Sequence, residues 1–146
     1  MKMKAPLNPH PKILLAEDDR DLRELLAFSL FRAGYSVESC DNGLELLERL
    51  DQPPEWGRAR IDLVLTDLRM PALTGLEVLE ALHDLPHRPL FVCMTAFGDS
   101  STHEAAMQLG AAATIDKPFD LDKLIDLIRC FCPSGEPKIS QSRRAS

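Results

Sequence analysis

Apolar residues in this chain gather into short runs, and between the runs they recur at every third or fourth position. The runs are KILLA (12–16), YSVESC (35–40), IDLVLT (61–66), PLFVCMT (89–95) and AAATI (111–115). Four are mostly apolar, and YSVESC alternates. Unbroken apolar runs of this length fit strands covered on both faces, as in a parallel sheet, whereas alternation fits an edge or half-exposed strand. Between the runs, Leu22, Leu25, Leu26, Leu30 and Ala33 form one apolar helical stripe, and Leu121, Leu124, Ile125, Ile128 and Phe131 form another. Leu44, Leu47 and Leu50 mark a helix after Asn42-Gly43, and Leu76, Leu79 and Leu82 mark one after Thr74-Gly75. The segment 100–109 is Ala-rich with a narrow apolar face, so it is the weakest helix and the one expected to be most mobile.

Strand and helix alternate five times. That order predicts an α/β fold, a doubly wound five-stranded parallel sheet with helices on both faces and right-handed crossovers. In such a sheet ligands bind at the carboxyl ends of the strands. Residues 1–11 read as an N-terminal extension, 12–132 as one domain, and 133–146 as a tail without periodicity that is expected to be disordered. The stretch DQPPEWGRAR (51–60) reads as a polar loop.

Composition narrows the function. A chain of 146 residues can bury a proper core without disulfides. Its 17 Lys plus Arg against 23 Asp plus Glu give a net charge of −6, which leaves no electrostatic footprint for nucleic acid. Cys40, Cys93, Cys130 and Cys132 form no Cys-x-x-Cys pair and fit a reducing compartment. MKMKAPLNPHPK has no apolar run after its lysines, and no stretch reaches membrane-spanning length. A cytoplasmic protein that touches neither membrane nor nucleic acid is expected.

The strand-end rule picks out the chemistry. Glu17 and Asp18 follow the first strand, Asp67 the third and Lys117 the fifth, while Thr95 ends the fourth. All five are expected to converge. Three crowded carboxylates raise one another's pKa unless a cation neutralises them. Mg²⁺, or Mn²⁺ in its place, suits such a set of hard oxygen ligands. With Lys117 added the charges balance, and the site can accept a phosphoryl group. Each residue taken singly has a plainer role: acidic groups ahead of a helix are often only caps and dipole partners.

The motifs ILLAEDD, LTDLRMPALTG, MTA and DKPF, in this order and each at a strand end, resemble the receiver domain of two-component response regulators, of the stand-alone, chemotaxis-regulator-like type. The resemblance covers about residues 12–131. It implies a flavodoxin-like sheet of strand order 2-1-3-4-5, with Asp67 as phosphoacceptor. Glu17, Asp18 and Asp67 would hold the metal together with the main-chain carbonyl of Arg69, and Asp19 would be a neighbour only. Lys117 would pair with the phosphoryl oxygens, ahead of a cis peptide to Pro118, and Thr95 would swing its hydroxyl onto them. A sensor histidine kinase or a histidine phosphotransfer protein would supply the phosphoryl group, and a protein partner would read the result. Such a domain catalyses only its own phosphorylation and slow dephosphorylation. Dimerisation on phosphorylation is left open.

The chain departs from the pattern at Thr114, where receivers commonly carry Tyr or Phe as a rotamer switch coupled to the Thr. Arg69 and Phe97 are expected to flank the phosphoryl group, Phe97 excluding the in-line water and Arg69 hydrogen-bonding the phosphoryl oxygens without activating a nucleophile, so that its loss is slow. Two alternatives stand beside this reading: the receiver half of a transcription factor, and a phosphatase of the haloacid dehalogenase type, which would need its nucleophile after the first strand. His83 and His87 have metal-like spacing, but Pro86 interrupts the helix between them, so they are expected to face solvent. Cys130 and Cys132 are expected to point different ways. A dinucleotide site would need a Gly-rich turn where this chain has Glu17-Asp18-Asp19-Arg20.

Overall fold

The structure, a computed structural model, describes residues 10–52, 60–85, 88–96 and 99–135. In chain order the elements are β1 (Lys12–Ala16), α1 (Arg20–Arg32), β2 (Ser36–Cys40), α2 (Gly43–Leu50), β3 (Leu63–Asp67), α3 (Gly75–Ala81), β4 (Leu90–Ala96), α4 (Ser100–Gln108), β5 (Ala113–Lys117) and α5 (Leu121–Phe131). The strands form one parallel sheet of order β2-β1-β3-β4-β5. Trp56, His87, Phe97 and the two terminal segments lie outside the described residues.

Side chains alternate across each strand, so each strand feeds two cores. Ile13, Leu15, Leu63, Leu65, Val92 and Met94 pack against Leu26 and Leu30 of α1 and Leu124 and Ile128 of α5. Leu14, Val64, Phe91 and Cys93 pack on the other face against Leu46 of α2, Val78 and Leu79 of α3 and Ala106 of α4. Tyr35 closes the first core, its buried hydroxyl donating to the Cys132 carbonyl at 2.6 Å. Ala106 is the buried residue of α4, in keeping with the narrow apolar face of that segment.

Four of the five strands begin later than their apolar runs, and for β2 and β5 the reason is the end of the preceding helix. Helix α1 ends with Gly34 at φ 104, and the Tyr35 amide donates back to Leu30 O. Helix α4 ends with Gly110 at φ 96, and the Ala111 amide donates back to Ala106 O. Both are helix-terminating turns in which glycine takes the left-handed residue. The amides of Tyr35 and Ala111 are therefore committed to capping, so β2 starts at Ser36 and β5 only after Ala111. At the other end β3 and β5 run on through Asp67 and Lys117. Ladder hydrogen bonds are made by backbone, so polar residues extend a strand that hydropathy ends too early. Strand β5 also departs from its apolar appearance: it is a sheet edge whose residues are half-buried or exposed.

Candidate functional site

The chain turns sharply at the end of β1. Asp19 is the N-cap of α1, accepting from the Leu22 amide at 3.2 Å, while its own amide donates to Glu17 Oε2 at 3.0 Å. Arg23, one turn into α1, donates to the Glu17 carbonyl at 2.9 Å. Glu17 is thereby fixed inward, 1% exposed, and Asp18 stands beside it at the surface. Asp19 is engaged as a cap, as expected of a neighbour.

Asp67 ends β3, the strand between β1 and β4, and is 8% exposed. The Arg69 amide donates to its Oδ1 at 2.8 Å, which turns the chain after the strand. The start of α3 then packs directly on this backbone. A Cβ at Gly75 would lie 2.7 Å from the Asp67 carbonyl oxygen and 3.0 Å from Leu68 Cα. Thr74 caps α3 in a reciprocal box with Glu77, placing Gly75 at that contact. The Thr-Gly pair after the third strand thus sets the depth at which Asp67 sits.

One carboxylate oxygen from each of Glu17, Asp18 and Asp67 lies within 4.8 Å of the others. Lys117, the last residue of β5, reaches across with Nζ at 2.5 Å from Asp67 Oδ2 and 2.8 Å from Glu17 Oε1. Burial raises the Glu17 pKa; the charge of Asp67 adds to this, against hydrogen bonds from Lys117 and the Asp19 amide. Burial alone would lower the Lys117 ammonium, but its hydrogen bonds to Asp67 and Glu17 raise it above an ordinary lysine. Both partners are raised, Glu17 chiefly by burial with the Asp67 charge adding to it, and Lys117 by the two carboxylates it faces. The peptide between Lys117 and Pro118 is cis. A cleft of about 440 Å³ opens beside Lys117, lined by Leu22, Ala96, Lys117, Pro118 and Phe119.

Four of the five residues singled out at strand ends therefore meet in one cluster. The fifth, Thr95, is next to it on β4 and turned toward β5. Its hydroxyl donates to Asp116 Oδ1 at 2.8 Å, with the Ile115 carbonyl more distant at 3.5 Å. The Arg69 side chain, expected over the phosphoryl position, pairs instead with Asp99 at 2.8 Å and is 70% exposed. Hydrogen bonds from Thr102 and Arg69 hold the Asp99 carboxyl down at about 2. Thr114, at the position of the usual aromatic, contacts the His103 ring of α4 through its hydroxyl. Asp99, His103 and Asp116 carried no signal as single residues. Strand alternation places Thr114 and Asp116 on one face of β5, and that was the clue available.

The residues weighed as rival sites are ordinary here. His83 is exposed beside Asp84. Cys130 is exposed while Cys132 is buried, and burial pushes the Cys93 thiol up to about 12 and the Cys40 and Cys132 thiols to about 11. Such thiols stay protonated and unreactive.

A family model for the response regulator receiver domain matches residues 13–129. The chain belongs to the response regulator receiver domain family. Sporulation initiation phosphotransferase F of Bacillus subtilis is 30% identical to this receiver over 84% of the chain and 94% of its own length. A CpxR homologue from Haemophilus influenzae, a transcriptional regulatory protein, is 36% identical over 82% of the chain. The receiver spans 49% of that protein and 53% of the response regulator MprA of Mycobacterium leprae, about half the length of each. The chemotaxis response regulator CheY4 of Vibrio cholerae shares the fold, with a TM-score of 0.70 over 84% of this chain and 98% of that one at 24% identity. Receivers are signalling domains of two-component systems, and the acidic pocket of this one suits Mg²⁺. No helix among the described residues is long and apolar enough to cross a membrane.

Proposed function

We propose that Asp67 accepts a phosphoryl group from a sensor histidine kinase or a histidine phosphotransfer protein, and that the receiver then signals to a protein partner by a change of shape. The observation that carries this reading is the cluster itself: three carboxylates at the ends of two adjacent strands, with a lysine from the sheet edge on two of them. Such a cluster has no structural purpose that a salt bridge alone would not serve. Its all-oxygen donor set fits a small hard cation. Glu17, Asp18 and Asp67, with the Arg69 carbonyl, would hold Mg²⁺ or Mn²⁺, which when bound neutralises charge on the carboxylates and on the incoming phosphate oxygens.

The reaction is an in-line displacement. A carboxylate oxygen of Asp67 forms the new O–P bond, and the P–N bond to the donor histidine breaks. The leaving imidazole keeps the electron pair and later takes a proton from water. Asp67 is already an anion, so no general base is required. Lys117, already on Asp67 Oδ2, is placed to hold charge on the transferring group, and the cleft beside it leaves room for the donor side chain. The chain catalyses only its own phosphorylation and its slow loss, in the cytoplasm. Slow loss follows if no carboxylate or amide at position 69 orients water in line. Arg69→Asn should then shorten the lifetime, and an unchanged lifetime would leave that property to the partner.

The metal arm is tested without phosphate. Backbone amides of residues 17, 18, 67 and 69 should shift with millimolar Mg²⁺, and Asp18→Asn should weaken the response by about tenfold or more. Unresponsive amides in the unsubstituted protein would contradict the assignment.

A further inference from the structure

A threonine hydroxyl has one proton to donate, and Thr95 donates its proton to a carboxylate. Thr95 and Asp116 are register partners in the parallel pair β4·β5, so their side chains leave the sheet on the same face. The 2.8 Å separation is that of a well-formed hydrogen bond from a hydroxyl to a carboxylate oxygen. Thr95 is 1% exposed, so its hydroxyl must find its acceptor within the protein and not in solvent. The Ile115 carbonyl, at 3.5 Å, is a poor substitute acceptor. Lys117 is the next residue along, but its ammonium is committed to Asp67 and Glu17. Among the described residues no lysine or arginine pairs with Asp116, so its charge is available to the hydroxyl.

We propose that Asp116 is a positioning residue that holds the Thr95 hydroxyl away from Asp67 in the resting state, so that a phosphoryl group must win the hydroxyl from a built-in competitor. The inference rests on the reading of Asp67 as phosphoacceptor and of Thr95 as the hydroxyl that responds to it. Its physical content is a differential interaction: one proton, one strong acceptor in each state, and an equilibrium set by the difference between them. A receiver without the resting acceptor would lie closer to the active arrangement before any phosphorylation. The edge position of Asp116, exposed on β5, lets it be changed without opening a core.

The test uses the full chain with Mg²⁺ and beryllofluoride, titrated by the backbone amides of residues 67 and 95. Asp116→Ala should bind the analogue about threefold to tenfold more tightly, the range set by one net hydrogen bond. Asp116→Asn, which keeps an acceptor oxygen but not the charge, should fall between Asp116→Ala and the unsubstituted protein. In a Thr95→Ala background Asp116→Ala should bring no gain. A gain of the same size in that background would mean that Asp116 merely repels the anion, and would overturn the proposal, as would the absence of any gain. Three-bond couplings to the Thr95 methyl group, taken without beryllofluoride, read the hold separately from the phosphoacceptor assignment. They should report one χ1 rotamer in the unsubstituted protein and averaging in Asp116→Ala. A single unchanged rotamer in both would sink the proposal even if Asp67 is the acceptor.

Discussion

Strands β3 and β5 each end in a residue of the cluster, yet they are built differently. Every residue of β3 is buried between β1 and β4 and between two helical layers. Strand β5 is the sheet edge, paired with β4 alone, and no residue in it is fully buried. Asp67 is thus placed by backbone that cannot shift without disturbing both cores. The edge side carries contacts that one side-chain rotation can break: Thr95 to Asp116, and Thr114 to His103. The difference separates two demands. Chemistry needs fixed geometry at the acceptor, whereas a signal needs a part of the molecule with two arrangements of similar free energy.

This contrast can be broken most forcefully by removing core from each strand. Leu65→Ala should cost about 2–5 kcal/mol of unfolding free energy, the range for a fully buried leucine. Ile115→Ala, half-buried on β5, should cost clearly less. Equal losses in urea unfolding would show that the edge is as tightly built as the centre. A second, smaller effect concerns response. Thr95→Ala should still be phosphorylated but should lose the amide shifts that phosphorylation spreads across residues 100–117. Thr114→Ala should reduce those shifts only modestly, since a hydroxyl sweeps little volume. Equal and severe loss from both changes would make Thr114 a full switch residue working through His103.

The opposite edge, β2, sharpens the comparison because it is held by charge. Burial alone would raise the Glu38 carboxyl, but hydrogen bonds from Arg49 and Lys12 outweigh it and bring it down to about 2. A depressed folded-state pKa contributes stability in full above the ordinary carboxylate pKa of about 4.3, and that contribution is lost as pH falls toward 2. Glu38→Gln should therefore flatten part of the acid limb of the stability curve, while stability near neutral pH falls slightly. An acid limb identical to that of the unsubstituted chain would show that the Lys12–Glu38–Arg49 triad does not couple to folding.

The same contrast explains what the sequence made legible. Central strands are readable because burial on both faces forces an unbroken apolar run, as in LFVCM of β4, and the carboxylates stand out because they come at the ends of such runs. Strand order came from family resemblance, since no periodicity encodes which strands are neighbours. The starts of β2 and β5 were misplaced because Tyr35 and Ala111 are apolar yet serve as helix caps, a backbone role that hydropathy does not register. Asp116, Asp99 and His103 were missed because each takes its meaning from a partner far along the chain: Thr95, Arg69 and Thr114. A charged residue on an edge strand is usually only solvated, and nothing local distinguishes one that holds a buried hydroxyl.

The central claim is that the buried end of β3 is the acceptor. Incubation with acetyl phosphate and Mg²⁺, followed by intact-mass measurement, should show a single base-labile phosphoryl increment that is absent from Asp67→Asn. Retention of that increment in the Asp67→Asn protein would place the acceptor elsewhere and contradict the account.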